Sequence, residues 1–265
     1  MTGAAFDWLV TDLDGTLVDR NMRIVPRNAV ALARFRDAGG TVVIATGRNE
    51  ESAGRYHAEL GLDTPMILYN GARVVAPATG ERLLDLHLGE TWPLLAGSVI
   101  PALPAGVGAV GFSGHAAYVL RDAPALVDYA RRDGIALSDD PVSGPVTKIM
   151  LITPTPGVDR LTDMVRVRAP DVRLLQSEST YLEVLPRQAG KGAALRFLAA
   201  HHGVPLHRVA AIGDNPNDLD MLQTAGLGVA VGDGHPSVRD HADVVVSPCA
   251  DGAVADLVDR LLAGR

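Results

Sequence analysis

The sequence is short of several things at once, and each shortage removes a class of protein. It holds one cysteine, Cys249, in 265 residues. No internal disulfide can form and no second thiol is present for a zinc site, so Cys249 reads as a small buried residue in a reducing compartment. Lysine occurs only at Lys148 and Lys191, arginine supplies the remaining positive charge, and the formal net charge is −7. A basic surface able to displace counterions from nucleic acid is therefore missing. No apolar run reaches the roughly 20 residues that span a bilayer. The opening MTGAAFDWLVTDLDG has no basic leader region, and acids interrupt its apolar stretch. These absences together describe a cytoplasmic protein without nucleic-acid or membrane partners. A G-x-G-x-x-G run after the first strand is also absent, which sets aside a dinucleotide-binding protein.

What is present suits a soluble globular chain, 47% apolar and 21% charged, long enough for one large domain or one domain carrying an insertion. Residues 6–14 read as a buried strand running into a glycine turn, followed by a helix from Pro26, a strand at 41–45, a helix at 50–60 and a strand at 66–69. That alternation predicts a parallel sheet covered by helices. The middle differs, because strands at 82–88, 107–112 and 116–120 follow one another without helices. Helices at 125–133 and 159–168 and strands at 147–152, 172–175 and 181–185 make this part α+β, with 101–108 as a loop. Strict alternation returns from Lys191: helix 192–202, strand 209–212, helix 217–224, strands 228–231 and 243–246, and a last helix 254–262. The expected fold is α/β, a Rossmann-like doubly wound parallel-sheet core with an inserted α+β cap. Residues 1–80 and 187–265 form the core and 81–186 the cap, joined where glycine, proline and alanine thin the apolar pattern at 71–80 and 186–190.

Asp12-Leu13-Asp14-Gly15-Thr16 closes the first strand. Alternation along a strand predicts that Asp12 and Asp14 project together. Two crowded carboxylates are unfavourable without a cation or a proton between them. The bland alternative, one Asp capping a turn and the other solvated, carries equal weight for a motif this short. Gly213-Asp214-Asn215-Pro216-Asn217-Asp218 follows another apolar strand, where ligands of open α/β sheets collect; taken alone it is more simply an Asx turn with a helix cap. Thr46-Gly47-Arg48 ends a third strand; its hydroxyl and amides suit a phosphate, and Thr46 serves equally as a helix cap. Lys191 suits phosphate neutralisation, although lysines at helix starts are usually exposed.

In this order, Asp12-x-Asp14-Gly15-Thr16, Thr46-Gly47-Arg48, Lys191-Gly192 and Gly213-Asp214-x-x-Asn217-Asp218 resemble the four motifs of the haloacid-dehalogenase-like superfamily. Tyr69-Asn70-Gly71-Ala72, Glu183-Val184-Leu185-Pro186, Ala242-Asp243 and Asp251-Gly252 further resemble its Cof-like sugar-phosphatase branch. The resemblance implies a magnesium-dependent phosphatase acting on a small phosphorylated metabolite. In that pattern Asp12 attacks phosphorus, and Asp14 serves as general acid and base. Mg2+ is held by the Asp12 side chain, the Asp14 carbonyl and Asp214, with Asp218 assisting through water. Thr46, Gly47, Lys191 and Asn217 bind phosphate. No activation of Asp12 is expected, since a carboxyl of ordinary pKa near 3.9 is already ionised.

Arg48 and Asn70 are candidate substrate or cap contacts. Arg121, Lys148, Glu178 and Tyr181 are weaker candidates in the cap, each more simply an ordinary surface or core-edge residue. One departure stands out: Gly232 is followed by Asp233, where the branch usually has Asn, which places an extra acid near the site. The chain is expected to act as a monomer or small homo-oligomer. The alternatives are a phosphomutase of the phosphomannomutase type and a non-catalytic sensor of phosphorylated ligands.

Overall fold

The computed structural model describes residues 6–263, so the expectation for the leader segment falls partly outside the described residues. β1 (Trp8–Thr11) is buried along its whole length. α1 (Pro26–Asp37) starts with a proline where no intrahelical donor is needed, and it buries Ala31, Leu32 and Phe35 along one stripe. β2 (Thr41–Ile44), α2 (Glu50–Glu59) and β3 (Met66–Leu68) continue the alternation. The chain then reverses through left-handed residues at Tyr69, Asn70 and Gly71 into β4 (Arg73–Ala76), antiparallel to β3, and β5 (Glu81–Asp85). The stretch 71–80 is therefore not a plain junction. Its short valine strand escaped the sequence pattern because glycine, proline and alanine flank it.

α3 (Thr91–Leu94) continues through a π turn (Leu95–Val99) and a 3-10 turn (Ile100–Ala102). The helical run reaches only the first two residues of the loop expected at 101–108; residues 103–107 carry no helix or strand, as expected. Pro93 lies in the first turn, where its missing N–H costs nothing, and Pro101 is the second residue of the closing 3-10 turn. β6 (Gly108–Ser113), β7 (Ala116–Arg121), α4 (Ala125–Asp133), β8 (Leu137–Ser138), β9 (Val146–Ile152), α5 (Asp159–Arg168), β10 (Val172–Glu178) and β11 (Tyr181–Pro186) follow. The last part contains α6 (Lys191–His201), β12 (Val209–Gly213), α7 (Leu219–Leu222), β13 (Leu227–Ala230), α8 (Pro236–Arg239), β14 (Val244–Val245) and α9 (Ala253–Ala263). The helix expected at 217–224 is thus shorter, and a 3-10 turn at Pro216–Asp218 leads into it.

The described residues form two compact units. One comprises those up to Arg48, Ala53–Leu84 and those from Gly190 on; the other comprises Asn49–Ser52 and Asp85–Ala189. In the first, five parallel strands run in the order β14-β13-β12-β1-β2. A parallel bridge between Ala45 and Ile67 sets β3 beside β2. Trp8 and Val10 pack with Leu195 and Leu198 of α6, each fully buried side chain contributing about 1.5–3 kcal/mol. α1 lies against α9, tied by Arg27 to Asp256 at 2.7 Å and Arg34 to Asp259 at 2.8 Å. Strand order reverses at β1, with β2 on one side and β12 on the other, and ligand sites of open α/β sheets form at such a switch point.

The second unit has a six-stranded sheet in the order β10-β11-β9-β6-β7-β8, antiparallel except for β7 with β8. Leu95, Val99 and Ile100 of the helical run and Leu161 and Val165 of α5 pack on Ile149, Leu151, Leu182 and Val184 of the sheet. Among the described residues, no helix is long and apolar enough to cross a membrane.

Candidate active site

The register of the parallel sheet decides which side chains meet. Thr11 stands opposite both Ile44 and Ile212, so Asp12, Ala45 and Gly213 are level at the carboxyl edge. β1 stops at Thr11. Asp12 makes one more bond, from its amide to the Ile212 carbonyl at 3.0 Å; the Leu13 carbonyl then accepts the amides of Thr16, Leu17 and Val18. Asp12 and Asp14 are therefore not alternate residues of one strand, as the pattern predicted. The turn separates them: Asp12 is buried, while the Asp14 side chain is 49% exposed.

Asp12, Asp214 and Asp218 each offer a carboxylate oxygen within 4.8 Å of the others. Lys191 joins them from the first turn of α6, its ammonium 2.5 Å from Asp12 Oδ1 and 2.6 Å from Asp218 Oδ1. Its side chain is wholly inaccessible, unlike the usual lysine at a helix start. Asp218 Oδ2 accepts the amides of Asp214 and Asn215, both at 3.0 Å, in a capping box with Asn215. Thr16 donates to Asp214 Oδ1 at 2.9 Å. Gly15, at φ +80°, is required beside it, because a β-carbon there would stand 2.5 Å from Asp214 Oδ2.

Burial pushes the Asp12 carboxyl up to about 7, with Asp218 and Asp14 adding to the rise and Lys191 opposing it. Burial, then Asp12 and Asp218, push Asp214 up to about 9. For Lys191, burial pulls downward, but Asp12 and Asp218 outweigh it and hold the ammonium above its ordinary value. The ordinary carboxyl expected at Asp12 is thus not what the metal-free site holds: burial disfavours its charge, and the Lys191 ammonium beside it favours the charged form. Three buried carboxylates with one ammonium leave excess negative charge, and hard oxygen donors of this kind suit Mg2+ or Ca2+. The residues present fit a divalent ion.

Thr46 is buried, and its hydroxyl accepts the Arg48 amide at 3.2 Å. It does not cap α2. That role falls to Asn49, whose side chain accepts the Ser52 amide at 2.9 Å. Arg48 grips Asp14 with two nitrogens, Nε to Oδ2 at 2.8 Å and Nη2 to Oδ1 at 2.6 Å, and its guanidinium lies 5.4 Å from the Tyr56 ring. The sequence reading missed this pairing, because nothing in the spacing links residues 34 apart; only their presence in two adjoining motifs pointed to it. Gly47 adjoins Asn70, and Asn217 Nδ2 donates to Asn70 Oδ1 at 3.0 Å. The extra acid, Asp233, accepts the Cys249 amide at 2.9 Å and so has a structural partner of its own. In the second unit, Lys148 and Glu183 form a buried pair at 3.1 Å, and Arg121 donates to the Ile100 carbonyl at 3.2 Å. Glu178 binds Arg132 at 2.6 Å, and the Arg132 guanidinium also lies 4.8 Å from the Tyr181 ring.

A family model described as haloacid dehalogenase-like hydrolase matches residues 9–91 and 109–258. The chain is similar to the 5-amino-6-(5-phospho-D-ribitylamino)uracil phosphatase of Bacillus subtilis, at 27% identity over 93% of this chain and 94% of that one. It is 29% identical to the HMP-PP phosphatase of Escherichia coli over 95% of this chain and 94% of that one. A protein of Thermotoga maritima with a known crystal structure is 30% identical and superposes with a TM-score of 0.82, covering 96% of this chain and 97% of its own.

Proposed function

Since the chain belongs to the haloacid dehalogenase-like hydrolase family and is similar over nearly its whole length to named phosphatases, we propose that it hydrolyses phosphomonoesters of small phosphorylated metabolites through Asp12 with Mg2+. The observation that carries this reading is the meeting of Asp12, Asp214 and Asp218 around the buried Lys191 ammonium. An Asp12 oxygen attacks phosphorus, the bond from phosphorus to the ester oxygen breaks, and Asp14 gives that oxygen a proton. Asp14 then takes a proton from the water that attacks the aspartyl-phosphate, and inorganic phosphate leaves. Lys191 offsets the repulsion between Asp12 and the phosphate dianion, while Thr46, the Gly47 amide and Asn217 hydrogen-bond the transferring oxygens.

Asp12, Asp214 and the Asp14 carbonyl would hold Mg2+, and Asp218, whose oxygens already serve Lys191 and two amides, would act through water. When bound, the ion supplies positive charge to the phosphoryl oxygens and fixes their orientation. The two-pronged grip of Arg48 orients the Asp14 carboxylate, and one of its two bonds opens when Asp14 carries the proton. Arg48→Lys keeps the charge and loses the fork, so kcat should fall by about 10-fold, and in Arg48→Ala by about 100-fold, within the range of acid-base catalysis. An unchanged kcat in Arg48→Ala would remove the clamp from the mechanism.

The direct test is phosphate release from sugar phosphates, nucleotides, flavin and pyridoxal phosphates, the ribitylaminouracil phosphate and HMP-PP, with Mg2+ or with EDTA. Release without a bisphosphate activator separates hydrolysis from a mutase. No release from any substrate with Mg2+ present would sink the reading.

Cation binding also has a stability readout. In the metal-free protein, Asp12 at about 7 and Asp214 at about 9 bind protons more tightly than in the unfolded chain. Their contribution to stability is therefore full below about pH 4 and is lost as pH rises through 7 and 9. Mg2+ at 100 times its Kd should add about 2.7 kcal/mol. That corresponds to a Tm rise of roughly 5–10 °C for a chain of this size, and at one fixed Mg2+ concentration the rise should be larger at pH 8.5 than at pH 6, where protons compete for the same carboxylates. Equal melting curves with Mg2+ and EDTA at pH 8.5 would exclude the ion.

A further inference from the structure

We infer that Asn70 is a positioning residue for phosphate recognition, acting through Asn217; the inference rests on the phosphatase reading above. Tyr69, Asn70 and Gly71 take three consecutive left-handed conformations, at φ 51°, 53° and 88°. Side chains other than glycine and asparagine enter that region at a cost, and such strain persists only where the surroundings enforce it. Here every phosphate-binding segment touches the turn. The Tyr69 amide donates to the Arg48 carbonyl at 3.0 Å and the Asn70 amide to the Thr46 carbonyl at 2.9 Å. Gly71 presses on the residue before Lys191, where a β-carbon would lie 2.1 Å from the Gly190 carbonyl oxygen. A β-carbon on Gly47 would lie 2.9 Å from Asn70 Nδ2.

The Asn70 side chain is 2% exposed, and its Oδ1 accepts Asn217 Nδ2 at 3.0 Å. Asn217 itself is only half-buried on the 3-10 turn Pro216–Asp218. Its amide would be free to rotate without an anchor. Asn70 fixes that amide, leaving the second N–H of Asn217 in a set direction for a phosphoryl oxygen. The turn thus references three separate segments to one another, and Asn70 is the member that reaches a phosphate-binding side chain.

The glycine variant separates backbone from side chain, because glycine adopts the left-handed turn readily and supplies no amide. Asn70→Gly should still fold with its turn intact, with a Tm a few degrees lower for the lost buried hydrogen bond, while kcat/KM falls about 30-fold and inhibition by orthovanadate weakens about 10-fold, less than for a whole donor removed. Because Asn70 acts through Asn217, the double variant Asn70→Gly/Asn217→Ala should lie within about 2-fold of Asn217→Ala alone. Near-normal kcat/KM and vanadate inhibition in Asn70→Gly, or strictly additive losses in the double variant, would overturn the inference while the phosphatase reading stands. A wild-type protein that neither releases phosphate nor is inhibited by orthovanadate would overturn both.

Discussion

Asp12→Asn should abolish phosphate release, with a loss of about 10⁴-fold or more in kcat, as expected when the nucleophile of a covalent mechanism is removed. The amide has nearly the same shape as the carboxylate and cannot form the aspartyl-phosphate. The variant should nonetheless fold well. Asp12 is buried beside Asp218 and Asp214, and its charge is disfavoured there enough to push its carboxyl up to about 7. A neutral amide relieves that burden, and Lys191 retains Asp218 at 2.6 Å. Above pH 7 in EDTA, the Tm of Asp12→Asn should equal or exceed the wild-type value by a few degrees. Loss of activity together with intact or raised stability is the signature of a residue kept for chemistry. Wild-type rates of phosphate release in this variant would eliminate Asp12 as the nucleophile.

Lys191→Met should fail in both respects. Methionine approximates the lysine stem and removes only the ammonium, but that ammonium is the cation bridging Asp12 Oδ1 and Asp218 Oδ1 in a fully buried setting. Breaking a buried ion pair by removing one partner costs about 3–5 kcal/mol, because the carboxylates left behind are uncompensated. The expected fall in Tm is about 10 °C. At temperatures where the variant remains folded, kcat should still fall by about 10²–10³-fold, the scale of losing one preorganised electrostatic partner at the transferring group. Thermal unfolding monitored by circular dichroism, followed by phosphate release at 15 °C, separates the two losses. Near-normal kcat in folded Lys191→Met would mean that the ammonium serves the fold alone.

Much of the fold was legible because apolar runs and glycine turns repeat with the period of parallel β/α units, and each chemical motif stands where an apolar run ends. β1, β2 and β12 place Asp12, Thr46 and Asp214 at one sheet edge through their register, whereas the strand order came from the tertiary structure. The failures have physical causes. Arg73 is completely buried in β4, 5.0 Å from the Tyr69 ring, while sequence rules place arginine outside. The helical run after Thr91 was hidden by prolines that its turns accommodate. Asp12 and Asp14 were assigned to one strand face, although hydrogen bonding to the Leu13 carbonyl ends that strand first.

By itself, the sequence determined the alternating α/β core, the interrupting α+β segment and the identity of the acidic residues, since these depend on local periodicity and on residue types at strand ends. Tertiary structure alone decided the desolvation of Asp12, the burial of Lys191, the grip of Arg48 on Asp14 and the hold of Asn70 on Asn217. Each of these depends on desolvation or on contacts across 34 to 179 residues, and local pattern carries no information about what the folded chain brings together at that range.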